Sequence, residues 1–84
     1  MYYCYLLHCA DDTLYTGVTT DLARRLEEHN SGRGSRYTGS RRPVRLVWQE
    51  EHPDRSSAQR REAEIKRWSR RQKETLITGR AGPG

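Results

Sequence analysis

The pattern of the chain predicts a small α+β domain, a thin sheet with helices laid on it, in the order β-β-α-β-α-α. Three observations predict it. Two apolar runs, Tyr2 to Cys9 and Leu14 to Thr19, flank a polar Ala10-Asp11-Asp12-Thr13 connection and read as an antiparallel hairpin. A third run, Val44 to Glu50, opens after Pro43 and alternates Val44, Leu46 and Trp48 with Arg45, Val47 and Gln49, the period of a half-buried strand. Three further stretches carry apolar residues at helical spacing behind capping residues.

The hairpin holds four of the five tyrosines, with Tyr5 and Tyr15 ten residues apart. If its strands pair, a phenol from each projects from one face of the sheet. Gly17 interrupts the second strand, the mark of a bulge or a close backbone approach. Thr19-Thr20-Asp21 then offers an N-cap for a helix over Asp21 to Asn30. Leu22 and Leu26 form its apolar stripe, Arg25 and His29 border that stripe one turn apart, and Arg24, Glu27 and Glu28 point to water. Ser31 to Arg42 reads as a glycine, serine and arginine loop. Glu51-His52-Pro53-Asp54 reads as a turn, and Ser56 with Gln59 as a capping box for a helix over Ser57 to Trp68. Ser69 with Gln72 caps a last helix from Arg70 to Thr78, with Leu76 and Ile77 packing it back. Residues 1–78 are read as one domain and Gly79 to Gly84 as a frayed tail.

At 84 residues the chain is near the lower limit for folding alone. Leu, Ile and Val together number 12 and Phe is absent, so the five Tyr and two Trp must supply much of the apolar area. The charge is strongly segregated. The first 23 residues hold no Lys or Arg, and all 16 basic residues follow from Arg24, 14 of them Arg. Arg matches phosphate oxygens two at a time, so a polyanion, nucleic acid first, is one reading; a merely solvated basic surface is the other. In the loop, Arg33, Arg36, Arg41 and Arg42 supply charge, the glycines let backbone amides approach phosphate, and Tyr37 offers a stacking face. Cys4 and Cys9 lack a zinc spacing or a disulfide framework and read as buried free thiols. The apolar start is too short for a membrane span and lacks a basic n-region, so no membrane partner and a reducing cytoplasm are expected.

Glu62 is the most informative single position. Ala58, Glu62 and Ile65 fall on one helix face, which sets a carboxylate in the inward stripe, while Glu64 points away among arginines. A buried carboxylate without a partner is costly, so a cation must meet Glu62: an inward arginine or a metal ion. A phenol pair, an arginine one turn from a histidine and an inward glutamate together suit phosphodiester cleavage. That reaction needs an activated water, positive charge on the phosphate and a proton for the leaving oxygen.

These residues resemble the GIY-YIG nuclease superfamily, and within it the small single-domain YhbQ-like (UPF0213) proteins. The resemblance runs through Tyr3-Cys4-Tyr5, Tyr15-Thr16-Gly17, Asp21 to Leu26 with His29, Gly32 through Val47, Arg61 to Lys66, Trp68 and Leu76-Ile77. It covers residues 2 to 78, and the ordered set with its spacings is what makes it specific. The resemblance implies a three-stranded antiparallel sheet flanked by helices and an endonuclease acting on nucleic acid, DNA in the first place. It implies that Tyr5 and Tyr15 position or deprotonate the attacking water, that Arg25 stabilises the scissile phosphate, and that Glu62 holds one Mg2+ or Mn2+. His29 stands where relatives carry a histidine or tyrosine near the phosphate, which implies a proton relay. Tyr3 and Cys4 replace the glycine and isoleucine of the first motif, and Val18 stands where many relatives carry a lysine. Two other readings accompany the nuclease: a nucleic-acid-binding module of the same fold with little activity, and a subunit whose arginines contact an acidic protein.

Overall fold

The computed structural model describes residues 1–79. The tail from residue 80 onward lies outside the described residues. Three strands, β1 (Tyr2–Cys9), β2 (Leu14–Thr19) and β3 (Val44–His52), form one antiparallel sheet in the order β2-β1-β3. Helices α1 (Leu22–Asn30), α2 (Arg36–Gly39), α3 (Arg55–Lys66) and α4 (Arg70–Ile77) complete the chain.

The central position of β1 explains its composition. Cys4, Tyr5, Leu6 and Leu7 are all buried, because helices cover both faces of this strand. On one face Tyr5, Leu7, Cys9 and Val44 pack with Tyr15, Leu22, Leu26 and Leu46, which seats α1. On the other, Cys4, Leu6 and Ile65 pack with Val47, Trp48, Trp68, Leu76 and Ile77, which seats α3 and α4. Each helix starts behind a side-chain cap: Asp21 for α1, Ser35 for α2, Asp54 for α3, and Ser69 in a reciprocal box with Gln72 for α4. At its end α1 closes with Gly32 in the left-handed region (φ +86°), and the Arg33 and Gly32 amides donate back to the Glu28 and His29 carbonyls. Asn30 then clamps the start of β3, its Oδ1 accepting from the Val44 N–H (2.7 Å) and its Nδ2 donating to the Val44 carbonyl (3.0 Å).

The structure corrects four local expectations. Val44, Leu46 and Trp48 do not share a face. A bulge opposite Leu6 and Leu7 inserts Val47, so Leu46 pairs with Leu7 toward α1 while Val47 and Trp48 both turn toward α3 and α4. Glu51 and His52 continue β3 rather than turn, because β1 offers partners as far as Tyr2. Asp54 caps α3, so the helix starts at Arg55, Ser56 lies inside it, and Lys66 rather than Trp68 ends it. Within the segment read as a loop, Arg36–Gly39 forms the short helix α2, with Ser35 accepting from the Thr38 N–H.

Candidate active site

Register brings the first two candidates together. Tyr5 pairs with Gly17 and Leu7 with Tyr15, so both phenols rise from the α1 face of the sheet. The Tyr5 ring crosses β2 directly over Gly17. A Cβ built on Gly17 would lie 2.5 Å from the Tyr5 hydroxyl oxygen and 2.6 Å from Cζ. Glycine is required at this position so that a phenol from the central strand can reach the open β2 edge of the sheet.

At that edge lies a cleft of about 500 Å³, lined by Tyr5, Tyr15, Arg25 and Glu62 among others. Helix α1 brings Arg25 from one side of the sheet and α3 brings Glu62 from the other. Arg25 donates to Glu28 Oε1 (3.1 Å) and to the Gly34 carbonyl (2.8 Å), which anchors the guanidinium; Glu28 is therefore half-buried in an ion pair rather than free in water. Glu62 occupies the cleft rim of its helix stripe. Ala58 and Ile65 are fully buried, whereas a quarter of the Glu62 side chain remains exposed and pairs with Lys66 at 3.4 Å. The cation demanded by the pattern is thus a lysine one turn along the same helix, in place of an inward arginine.

His29 is fully buried and does not line the cleft. Its ring packs edge-on to Tyr5 and Tyr15, at centroid distances of 6.1 and 5.2 Å. Burial, with repulsion from Arg25, pushes its pKa down to about 4, so the imidazole is neutral. Each ring nitrogen meets a hydroxyl. Nδ1 lies 2.7 Å from Thr38 Oγ1, whose single proton has His29 Nδ1, Ser35 Oγ (3.0 Å) and the Ser35 carbonyl (3.4 Å) within reach. Nε2 lies 2.9 Å from the Tyr5 hydroxyl. Burial pushes the Tyr5 phenol up to about 12, against the pull of Arg25.

The arginine-rich segment is docked on this histidine. A Cβ on Gly34 would collide with the His29 ring, and Thr38 is fully buried beside it. Of the residues read as nucleic-acid contacts, Arg41 pairs with Asp11 (2.8 Å) and lies 4.0 Å over the Tyr37 ring. Arg42 donates to the Gly39 and Asn30 carbonyls (2.9 and 3.4 Å). Arg33 donates to Ser31 Oγ (3.1 Å), Arg36 is exposed, and Tyr37 is exposed with its ring 5.7 Å from that of Tyr15. None of the five lines the cleft; Tyr37 borders it through Tyr15.

Residues not among the site candidates line the cleft as well, among them Val18, Arg55 and Gln59. Gln59 and Arg55 precede Glu62 by three and seven residues, so helical spacing from that carboxylate was the signal that could have found them. Cys4 and Cys9 are free and buried, and burial, with the nearby Glu62 and Glu50 carboxylates, pushes the Cys4 thiol up to about 12. No helix among the described residues is long and apolar enough to cross a membrane.

This sheet and cleft define a class. The model of the GIY-YIG catalytic domain matches residues 1–75, and the chain belongs to that family. Within it the chain is similar to the UPF0213 proteins. It is 54% identical over 77 residues to UPF0213 protein DP2720 of Desulfotalea psychrophila, covering 90% of this chain and 70% of the relative. It is 49% identical over 81 residues to UPF0213 protein NP_0776A of Natronomonas pharaonis, covering 96% and 95%. The solution NMR structure of UPF0213 protein BH0048 from Bacillus halodurans superposes with a TM-score of 0.61 at 46% identity, covering 99% of this chain and 89% of that one.

Proposed function

We propose that the domain is a metal-dependent endonuclease that hydrolyses phosphodiester bonds of nucleic acid, DNA in the first place. The observation that carries the proposal is the convergence of Tyr5, Tyr15, Arg25 and Glu62, from four separate elements, on one polar cleft. Family membership supports the reading, and the buried free thiols fit a reducing cytoplasm.

The residues present fit a hard divalent cation. Among the described residues no group of three or more His, Cys, Asp or Glu forms a metal cage. Mg2+ and Mn2+ need none when waters and substrate phosphate complete the shell, and Glu62 offers a cleft-facing carboxylate for such a site. Bound there, the ion would supply a water of lowered pKa and positive charge for the phosphate.

The remaining work falls to the chain itself. Arg25, held by Glu28 and Gly34, presents fixed positive charge to the scissile phosphate. With a pKa near 12, only about one Tyr5 in 10^5 is ionised at pH 7, so Tyr5 is not a ready-made base. In the His29 tautomer protonated at Nδ1, the Tyr5 hydroxyl donates to Nε2 and keeps an oxygen lone pair for a water in the cleft. As the water attacks phosphorus, its proton moves to the Tyr5 oxygen and the Tyr5 proton moves to His29, while the bond from phosphorus to the leaving nucleoside oxygen breaks and that oxygen takes a proton from bulk water in the open cleft. His29 therefore acts through Tyr5, and Thr38 holds its ring at Nδ1. Tyr15 orients the phosphate from the neighbouring strand.

Incubation of supercoiled and branched DNA with Mg2+ or Mn2+ tests the proposal. The parent is expected to nick, and Glu62→Ala to slow nicking by roughly 10^2-fold or more. Nicking that persists unchanged in Glu62→Ala removes the metal role from this carboxylate. Salt-sensitive binding without cleavage by the parent establishes the second reading, a binding module. Val18 favours that one, because it presents an apolar side chain and no positive charge to the cleft.

A further inference from the structure

The cleft contains a second arginine that neither the fold nor the mechanism above employs. Arg55 is the first residue of α3 and lines the same cleft as Arg25 and Glu62. Its side chain takes part in no ion pair or hydrogen bond among the described residues. The other arginine of the cleft differs: Arg25 is anchored on Glu28 and the Gly34 carbonyl. A cation in the first turn of a helix also stands at the positive end of the helix dipole, so the fold gains nothing from charge at this position. Asp54 beside it is occupied in capping, with its carboxylate accepting from the Ser57 N–H at 2.8 Å.

The two cations therefore have different characters. Arg25 is pre-set, with two acceptors fixing its fork. Arg55 is exposed, on the opposite helix wall of the cleft, with its donors free. We infer that Arg55 grips the backbone phosphate next to the scissile one, so that a single strand is held across the cleft between Arg25 and Arg55. This rests on the nucleic-acid reading proposed above and adds a binding residue to it. Arg55 contributes affinity and register, and leaves the chemical step to the Tyr5 side of the cleft. Its position seven residues before Glu62 ties the strand's register to the carboxylate through one rigid helix.

Binding of a fluorescein-labelled DNA duplex in EDTA, over a series of KCl concentrations, tests the inference. Removal of one phosphate contact lowers the slope of log K against log salt by about 0.9. Arg55→Ala is expected to show that loss, Arg55→Lys to recover the slope, and Arg60→Ala, on the exposed outer side of α3, to match the parent. The melting temperature of Arg55→Ala is expected to hold or rise, which separates lost binding from lost folding. In the nicking assay KM rises while kcat stays within about twofold of the parent. An unchanged slope in Arg55→Ala, or an equal loss in Arg60→Ala, overturns the assignment while leaving the nuclease reading intact. A parent that shows no salt-dependent DNA binding overturns both.

Discussion

At the scale of single residues, the site is built from contacts that leave no spare room. Tyr5 comes from the buried central strand, yet its hydroxyl must reach an edge cleft, and only the absence of a side chain at Gly17 opens that path. Gly17→Ala is therefore expected to lose about 1–3 kcal/mol of stability in urea unfolding. Nicking is expected to fall with it, because the displaced phenol parts from His29. A variant with parent stability and parent activity would show that the phenol does not depend on this passage. The glycine itself was legible as a site of close approach, but the residue that approaches it was not. Tyr5 and Gly17 are twelve positions apart, and only strand pairing makes them neighbours. His29 shows the same limit. Its place beside Arg25 on α1 was readable from helical spacing, whereas its full burial and its role behind Tyr5 depend on α2 closing over it.

At the scale of elements, boundaries follow competition among local partners. Two candidates could cap α3, and the chain uses Asp54, whose carboxylate accepts from the Ser57 amide; this hydrogen bond also holds the Asp54 pKa below the usual carboxylate range. Asp54→Ala is expected to lower the urea midpoint, and Ser56→Ala to leave it close to that of the parent. Equal costs for the two would restore the Ser56 cap. The β3 alternation was legible as a strand but not as a bulged one, because a bulge depends on what the partner strand presents at Leu6 and Leu7. The segment between α1 and β3 has the composition of a flexible loop, and composition alone conceals α2. Buried Thr38 and the clash-limited Gly34 turn that segment into the lid of the His29 pocket.

At the scale of the whole molecule, folding is linked to pH through one buried group. His29 titrates at 6.5 in an unfolded chain and at about 4 in the fold. Between those values the unfolded chain binds more protons, so stability is fully present above pH 6.5 and is lost as pH falls toward 4. The loss is about 1–3 kcal/mol. Urea midpoints measured at pH 7 and pH 4.5 check this, with His29→Gln expected to flatten the difference. A parent whose midpoint does not move over that interval would carry a protonated or solvated His29. The capping carboxylate of Asp54 adds acid sensitivity only below its ordinary value of 3.8, so the two contributions separate along the pH axis. The molecule also divides its charge: cations fill the chain from Arg24 onward, while the phenols come from the hairpin before it. Packing α1 and α3 against opposite faces of one sheet brings the two populations to a single edge.

Periodicity and capping residues set the order of the strands and the three longer helices, and the resemblance carried by the motifs around Tyr5, Tyr15, Arg25 and Glu62 pointed to the family and to the candidate residues. These are local properties, set by backbone geometry within a few positions along the chain. The tertiary structure decided which of those residues share a cleft, that Lys66 rather than an arginine meets Glu62, and that His29 stands buried behind Tyr5 instead of lining the cleft. It also decided that Arg55 joins the site. Those outcomes depend on strand register and on how helices pack across a sheet, where residues far apart in the chain meet and where a one-residue bulge sends side chains to the other face.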